Sequence, residues 1–161
     1  MNSGASSIHP PGGPAAAPAI LVADDDEPVR ELLCQVLEAE GFSVLEAVTG
    51  RDVLEQIKKQ PVALVILDLV MPEMDGLETL QSLAQNHPGV RVLAISGAFG
   101  GSFLDCARLL GAKGILKKPF NGAELVARVR TLLEGVLFCN RKPRPRAVFY
   151  GQDATLTLKK N

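Results

Sequence analysis

Four apolar runs of this sequence end in side chains that could take part in metal or phosphate chemistry. In chain order these side chains are residues 24–26, all aspartate, then Asp68, Ser96 and Lys118. If the runs are strands of one parallel sheet, their carboxyl ends meet along one edge. Several carboxylates in a small pocket resist joint ionisation unless a cation lies among them. A hard divalent cation with oxygen preference, Mg²⁺ above all, would resolve this and could also hold a phosphoryl group.

Each of these residues also has an ordinary structural explanation. Acidic residues after a strand often begin a helix, where the helix dipole favours them, and Asp26 and Glu27 would fit that role. Asp68 alone could be a loop residue, Ser96 the polar end of a strand, and Lys118 a solvated lysine. The coincidence of all these groups at strand ends is what favours a shared site.

The pattern of apolar residues predicts the elements that would position the site. Strands are predicted at residues 20–23, 42–47, 62–67, 90–95 and 115–117, of which the first and third are expected to be buried, and helices around 29–37, 53–57, 77–84, 103–110 and 125–136. Thr49 with Asp52, and Asn121 with Glu124, have the spacing of helix capping boxes. The alternation predicts an α/β fold with a doubly wound, five-stranded parallel sheet and helices on both faces.

Composition indicates one globular domain: 161 residues, 47% apolar and 22% charged, with a net charge of -1. This charge balance is not that of a nucleic-acid-binding protein, and no apolar run is long enough to cross a bilayer. The sequence shows no secretory signal, so we expect a cytoplasmic protein. The three cysteines are widely spaced and form no metal-binding pair, which favours reduced, mostly buried thiols.

We expect a domain at residues 19–136 between two tails. Residues 1–18 are rich in Pro, Gly, Ala and Ser, which predicts disorder. Residues 137–161 place four basic residues among prolines and could add a strand or hairpin or stay disordered. This C-terminal tail is too short for a DNA-binding domain with its own core and is more typical of a linker or interaction tail.

Four motifs occur in a meaningful order: ILVADDDEPVR at 20–30, VILDLVMPEMDGLETL at 65–80, VLAISGA at 92–98 and GAKGILKKPF at 111–120. The second is very specific, because an aspartate after an apolar strand precedes Met71-Pro72 and Asp75-Gly76. With these motifs the stretch from residue 20 to about residue 136 resembles the receiver domain of two-component response regulators, in layout the chemotaxis-type single-domain members. The resemblance implies a flavodoxin-like receiver fold.

The resemblance also implies roles for individual residues. Asp68 matches the phosphorylated aspartate, and Asp24 and Asp25 match the acidic pair that holds Mg²⁺, with Asp25 the direct ligand and Asp24 acting mainly through water. The backbone carbonyl of Val70 matches the third protein ligand of the metal.

The same resemblance implies roles for Ser96 and Lys118. Ser96 matches the hydroxyl residue that follows the phosphoryl oxygen, and Lys118 matches the lysine that pairs with the phosphoryl group. The peptide bond from Lys118 to Pro119 is expected to be cis.

The function implied is phosphoryl transfer from a phosphohistidine of a sensor kinase or phosphotransfer protein to Asp68, with Mg²⁺. The output would be a phosphorylation-dependent interaction with an unknown protein target, with no membrane partner and no nucleic acid expected. Conventional enzyme turnover is not expected beyond self-phosphorylation and slow autodephosphorylation.

Three positions depart from the family pattern. Ile115 stands where many receivers carry an aromatic switch residue, so a swinging ring cannot report phosphorylation. The residues two after Asp68 and two after Ser96 are Val70 and Ala98, both apolar, where family members use side chains that influence the hydrolytic water. We therefore expect a comparatively long-lived phospho-form.

Two alternatives remain open at this point. A haloacid-dehalogenase-type phosphatase could use Asp24 and Asp26 as its Asp-x-Asp motif, but the expected acidic pair after Lys118 is missing, since only Glu124 and Glu134 follow it. A receiver-like interaction module that no longer takes phosphate would keep the fold and signal without phosphorylation.

Overall fold

Within the part of the chain that the structure describes, five strands alternate with five helices, as predicted. The strands are β1 (Ala19–Ala23), β2 (Val44–Ala47), β3 (Val62–Asp68), β4 (Arg91–Ser96) and β5 (Gly114–Lys117). The helices are α1 (Glu27–Ala39), α2 (Gly50–Lys59), α3 (Gly76–Asn86), α4 (Ser102–Leu109) and α5 (Gly122–Leu137). The structure is a computed structural model that describes residues 19–71, 76–97 and 102–137. Both predicted tails, except the helical backbone of Leu137, and also Ala98 lie outside the described residues.

The strands form one parallel sheet in the order β2-β1-β3-β4-β5. This confirms the predicted doubly wound fold. The chain first adds a strand on one side of β1 and then continues on the other, so the direction of winding reverses between β1 and β3. Ligands of open parallel sheets bind outside the carboxyl ends of the strands at such a reversal. The ends of β1 and β3 are therefore where a site is expected.

Helices cover both faces of the sheet. Val53 of α2, Leu80 of α3 and Leu104 of α4 pack on one face, and Leu37 of α1 and Val129 of α5 pack on the other. Because both faces of the central strands are covered, apolar side chains are required at successive positions, which explains the continuous apolar runs in the sequence. Because the helices cover the faces, solvent and ligands can reach the polar side chains of the sheet at the strand ends.

Both predicted capping boxes are present. The Thr49 hydroxyl accepts from the Asp52 backbone N–H at 3.2 Å, and the Asp52 carboxylate accepts from the Thr49 N–H at 3.0 Å. Asn121 and Glu124 make the same reciprocal pair, with both bonds at 3.0 Å. These bonds satisfy backbone donors that a helix start leaves without partners. Burial alone would raise the pKa of Asp52, but its hydrogen bonds with Thr49 and Val48 together outweigh burial and lower the pKa.

Strand β2 begins at Val44, two residues later than the pattern predicts. The chain leaves α1 through Gly41, whose φ of 82° is a conformation that suits glycine. The backbone N–H of Phe42 then donates to the carbonyl of Leu37 at 3.1 Å, so Phe42 completes the end of α1.

The expectation of mostly buried cysteines is wrong for Cys106. This residue is exposed on α4, because the buried positions of that helix are Leu104 and Ala107. Cys34 is buried as expected, and burial raises the pKa of its thiol to about 11. Cys139 lies outside the described residues. None of the described helices is both long and apolar enough to span a bilayer.

Candidate functional site

Asp24 directly follows β1 and is held in place by its neighbours. Its backbone N–H donates to the carbonyl of Ala47 at 3.3 Å, which extends the pairing of β1 with β2 by one residue. Its carboxylate is fully buried and accepts from the Asp26 N–H at 3.0 Å. Asp26 itself caps α1 by accepting from the Val29 N–H at 3.3 Å, so the structural explanation considered for Asp26 is the correct one. Asp25, between them, is exposed.

Asp68 is the last residue of β3 and is 7% exposed. One oxygen of its carboxylate accepts from the Val70 N–H at 3.0 Å. The next backbone N–H, that of Leu69, donates to the carbonyl of Ile95 at 3.0 Å and continues the pairing with β4. The backbone directly after Asp68 is therefore fixed by pairing with β4, and the Asp68 carboxylate is oriented by the backbone of the loop that follows β3.

Lys118 links the two aspartates across the ends of the strands. Its ammonium donates to Asp24 at 2.8 Å and to Asp68 at 2.6 Å, although these residues are far apart in sequence. Its backbone N–H donates to the carbonyl of Ser96 at 2.9 Å, which ties the end of β5 to the end of β4. The Lys118–Pro119 peptide bond is cis, as predicted.

Ser96 is the last residue of β4 and is buried. It follows Ile95, which is the partner of Asp68 in the pairing of β3 with β4. Ser96 therefore reaches the same edge of the sheet as Asp24, Asp68 and Lys118. The structure thus brings together the groups that the sequence placed at four strand ends, while their chemical roles stay predictions.

The charges in this cluster influence one another. Burial raises the pKa of the Asp24 carboxyl, and the hydrogen bond from Lys118 only partly offsets that effect. Burial alone would lower the pKa of Lys118, but its hydrogen bonds to Asp24 and Asp68 outweigh burial and raise it. Lys118 is therefore a cation at neutral pH, and a buried acid such as Asp24 is further stabilised as a carboxylate by any added positive charge.

Three carboxylates are close enough to share one metal ion. Oxygens of Asp24, Asp25 and Asp68 all lie within 4.8 Å of one another. Carboxylate oxygens are the ligands that Mg²⁺ prefers, and one lysine cannot neutralise three acids. The exposure of Asp25 leaves the cluster accessible from solvent. The donor set therefore fits Mg²⁺.

Gly76 and Arg30 contact the backbone of the clustered aspartates, and neither of them was assigned a role from the sequence. A Cβ at Gly76 would lie 2.4 Å from the carbonyl oxygen of Asp68 and 2.5 Å from the Cα of Leu69. Arg30 donates to the carbonyl oxygen of Asp24 at 2.9 Å from a buried position on α1. The available signal for Arg30 was its spacing from Leu33 and Leu37, which places an arginine on the apolar face of the helix.

Comparison with known proteins gives one consistent result. The family model described as "Response regulator receiver domain" matches residues 20–130. The transcriptional regulatory protein CpxR of Escherichia coli K12 is 40% identical over 116 residues, which are 71% of this chain and 48% of CpxR. The response regulator GtcR of Aneurinibacillus migulanus is 33% identical over 129 residues, covering 80% of this chain and 52% of GtcR. The chain thus spans about half the length of the curated relatives it matches.

Solved structures show the same likeness. The receiver domain of NtrX from Brucella abortus has a TM-score of 0.69 and 31% identity, and the match covers 71% of this chain and 98% of that domain. A CheY-like receiver domain protein from Methanospirillum hungatei has a TM-score of 0.69 and 27% identity, with 73% of this chain and 94% of that one covered. The fold observed here is that of CheY-like receivers.

The Gly76→Ala substitution should destabilise the domain, because the added methyl group has to displace the backbone that carries Asp68. We expect a loss of about 1–3 kcal/mol in the free energy of unfolding, although alanine is the better helix former. Urea denaturation measures it. The matched control is Gly89→Ala, where a Cβ meets nothing within 4 Å. Equal stability of the two variants would contradict the close approach at Gly76.

Proposed function

Because this chain belongs to the family of response regulator receiver domains, we propose that Asp68 accepts a phosphoryl group from a phosphohistidine. The donor would be a sensor histidine kinase or a histidine phosphotransfer protein. The observation that carries the proposal is the position of Asp68 at the end of β3, where Lys118 donates to its carboxylate at 2.6 Å. A nucleophilic carboxylate beside a fixed cation is suited to attack on an anionic phosphoryl group.

The proposed reaction is an in-line displacement at phosphorus. One oxygen of the Asp68 carboxylate forms a bond to phosphorus while the bond from phosphorus to the donor's imidazole nitrogen breaks. The electron pair of that bond stays on the imidazole, which takes up a proton. The product is an acyl phosphate on Asp68, and water later hydrolyses it to carboxylate and inorganic phosphate. Positioning and charge neutralisation supply most of the acceleration in such transfers.

The side chains of Asp24, Asp25 and Asp68, with the backbone carbonyl of Val70, are the groups proposed to hold Mg²⁺. The short separation of the three carboxylates supports this assignment. When bound, the ion would neutralise charge on the acids and on the incoming phosphoryl oxygens. Lys118 and Ser96 are proposed to act on the other side, the lysine by pairing with a phosphoryl oxygen and the serine by donating its hydroxyl.

The proposed output is a phosphorylation-dependent change in binding to another protein, in the cytoplasm. The names of CpxR and its homologues describe transcriptional regulators, but this chain matches only about half of their length. We therefore propose that the described domain contacts proteins rather than nucleic acid. Self-phosphorylation and slow autodephosphorylation, without conventional turnover, are part of the same proposal.

The phosphatase alternative has lost its support. It requires Asp26 as a reacting acid, whereas the Asp26 carboxylate caps α1 and is exposed. The match to receiver domains also explains the motif after β3, which a phosphatase leaves unexplained. The other alternative, a receiver-like module that signals without phosphate, would gain no phosphoryl group from a phosphodonor, whereas our proposal predicts that Asp68 is phosphorylated.

Incubation with a small phosphodonor such as acetyl phosphate and Mg²⁺ should add one phosphoryl group to the protein. The Asp68→Asn variant should gain none, because the amide is not a nucleophile of comparable strength. Intact-protein mass spectrometry under conditions that preserve acyl phosphates measures the gain, and chelation of Mg²⁺ should abolish it.

Asp105→Asn is the matched control for that experiment, since Asp105 is an exposed acid on α4 that is not part of the cluster of Asp24, Asp25 and Asp68. This variant should be phosphorylated like the unaltered protein. No mass gain on the unaltered protein, or a gain that persists in Asp68→Asn, would contradict the proposal and favour the phosphate-independent module.

The lifetime of the phospho-form should depend on Val70. Val70 is 46% exposed and its backbone N–H donates to the Asp68 carboxylate, so a polar side chain at this position can reach water near the acyl phosphate. Val70→Asn should speed hydrolysis by up to about tenfold, which corresponds to about 1.4 kcal/mol of barrier. Loss of phosphoryl label over time after removal of the donor gives the rate.

Val48→Asn is the control for the lifetime measurement. Val48 follows β2 as Val70 follows β3, and it is similarly exposed at 44%, but it lies outside the aspartate cluster. Its substitution should leave the decay rate unchanged. Slower or unchanged decay in Val70→Asn would refute the link between this apolar position and a long lifetime.

A further inference from the structure

We infer that Arg30 is a positioning residue of the Asp68 site, which holds the turn after β1 so that Asp24 and Asp25 can bind a divalent cation. The inference rests on the proposed function, because it concerns the metal that phosphorylation of Asp68 would use. Arg30 does not touch the reacting carboxylate in the described contacts. Its effect would pass through the backbone of Asp24.

The contacts of Arg30 join three elements. Its side chain is 10% exposed, although arginine is rarely buried unless paired. From α1, one terminal nitrogen donates to the carbonyl oxygen of Asp24 at 2.9 Å, and Nε donates to the carboxylate of Glu46 on β2, also at 2.9 Å. The guanidinium is thus anchored to the sheet by Glu46 and to the turn by Asp24.

The carbonyl that Arg30 holds belongs to the peptide group between Asp24 and Asp25. A peptide group is planar, so fixing its oxygen fixes the direction in which the chain continues to Asp25. The Asp24 carboxylate is already held by the Asp26 N–H and by Lys118, while Asp25 is exposed. Among the described contacts, the hydrogen bond from Arg30 is therefore the one in which a side chain of another element restrains the peptide group between Asp24 and Asp25.

The ion pair with Glu46 does not by itself account for this arrangement. The Glu46 side chain is 52% exposed, and ion pairs with an exposed partner contribute little to stability. The buried bond goes instead to a backbone carbonyl of the acidic turn, where it is a charge-assisted hydrogen bond. The geometry therefore indicates a function in ordering the turn.

Charge and geometry predict opposite effects of removing Arg30. As a cation near the aspartates, Arg30 repels a divalent ion, so a purely electrostatic effect of Arg30→Met would be tighter metal binding. Loss of a positioning contact would instead weaken binding, since partners that orient metal ligands typically contribute about 10-fold or more to affinity. The sign of the change distinguishes the two explanations.

The experiment measures Mg²⁺ affinity of the full chain by isothermal titration calorimetry without a phosphodonor. We expect Arg30→Met to weaken binding about 10-fold, and Arg30→Lys, which keeps the charge but not the planar fork, to restore part of the loss. Arg108→Met is the matched control, an exposed arginine on α4, and should bind like the unaltered protein. Circular dichroism establishes that each variant is folded at the temperature used.

A second variant keeps the test decisive if Arg30→Met does not fold. Glu46→Asp keeps the negative charge that pairs with Arg30 but shortens the side chain that carries it. This variant should weaken Mg²⁺ binding by about threefold, as expected for the loss of one hydrogen bond of modest strength. In phosphorylation assays the Mg²⁺ concentration for half-maximal rate should rise in parallel, while the rate at saturating Mg²⁺ is retained.

Unchanged or tighter Mg²⁺ binding in folded Arg30→Met, or in Glu46→Asp where Arg30→Met is unfolded, would overturn the inference. A failure of the proposed function looks different: the unaltered protein would then bind no Mg²⁺ or would take no phosphoryl group on Asp68. An unaltered protein that is phosphorylated, together with Arg30 variants of normal metal affinity, would leave the proposed function standing and remove Arg30 from it.

Discussion

The contact on which the rest of the domain depends is that of the Lys118 ammonium with two carboxylates, Asp24 at 2.8 Å and Asp68 at 2.6 Å. The side chain of Asp24 is 1% exposed and that of Asp68 is 10% exposed. Acids withdrawn from water to this degree require a cation, and removing one partner from such a pair is costly. Acids at this position therefore need a cation beside them, and Lys118 supplies it within the chain.

The fold meets this requirement through the order of its strands. Because β1 and β3 are neighbours, Asp24 and Asp68 emerge side by side at their carboxyl ends. Strand β4 separates β3 from β5, so Lys118 reaches the acids across the end of β4, where its backbone N–H is fixed by the carbonyl of Ser96. The helices exclude water from both faces of the sheet, and the polar cluster remains at the open edge.

Much of this could be predicted because it follows from local patterns. Apolar runs specify buried strands, helical spacing specifies the faces that pack, and the capping boxes at Thr49 and Asn121 depend on residues three apart. The convergence of the strand ends follows from parallel pairing alone. Asp24, Asp68, Ser96 and Lys118 could therefore be named as one group before their distances were known.

Other features depend on tertiary distances that no local pattern contains. The role of Gly76 arises because the backbone at Asp68 passes within contact distance of the start of α3. Arg30 on α1 donates to the carboxylate of Glu46 on β2, and in the sequence the remainder of α1 and a turn lie between these two residues. The exposure of Cys106 follows from which side of a short helix faces the sheet, and a helix with two buried positions gives too weak a period to decide that.

The interdependence of Lys118 and the buried acid can be measured directly by a double-mutant cycle without metal. The free energy of unfolding is determined by urea denaturation for the unaltered chain, Lys118→Met, Asp24→Asn and the double variant. If the lysine stabilises the buried carboxylate, Lys118→Met should cost more in the unaltered protein than in the Asp24→Asn background, with an interaction energy of about 1–3 kcal/mol. Additive effects of the two substitutions would show that Lys118 does not hold the acids together, and would contradict this account of the site.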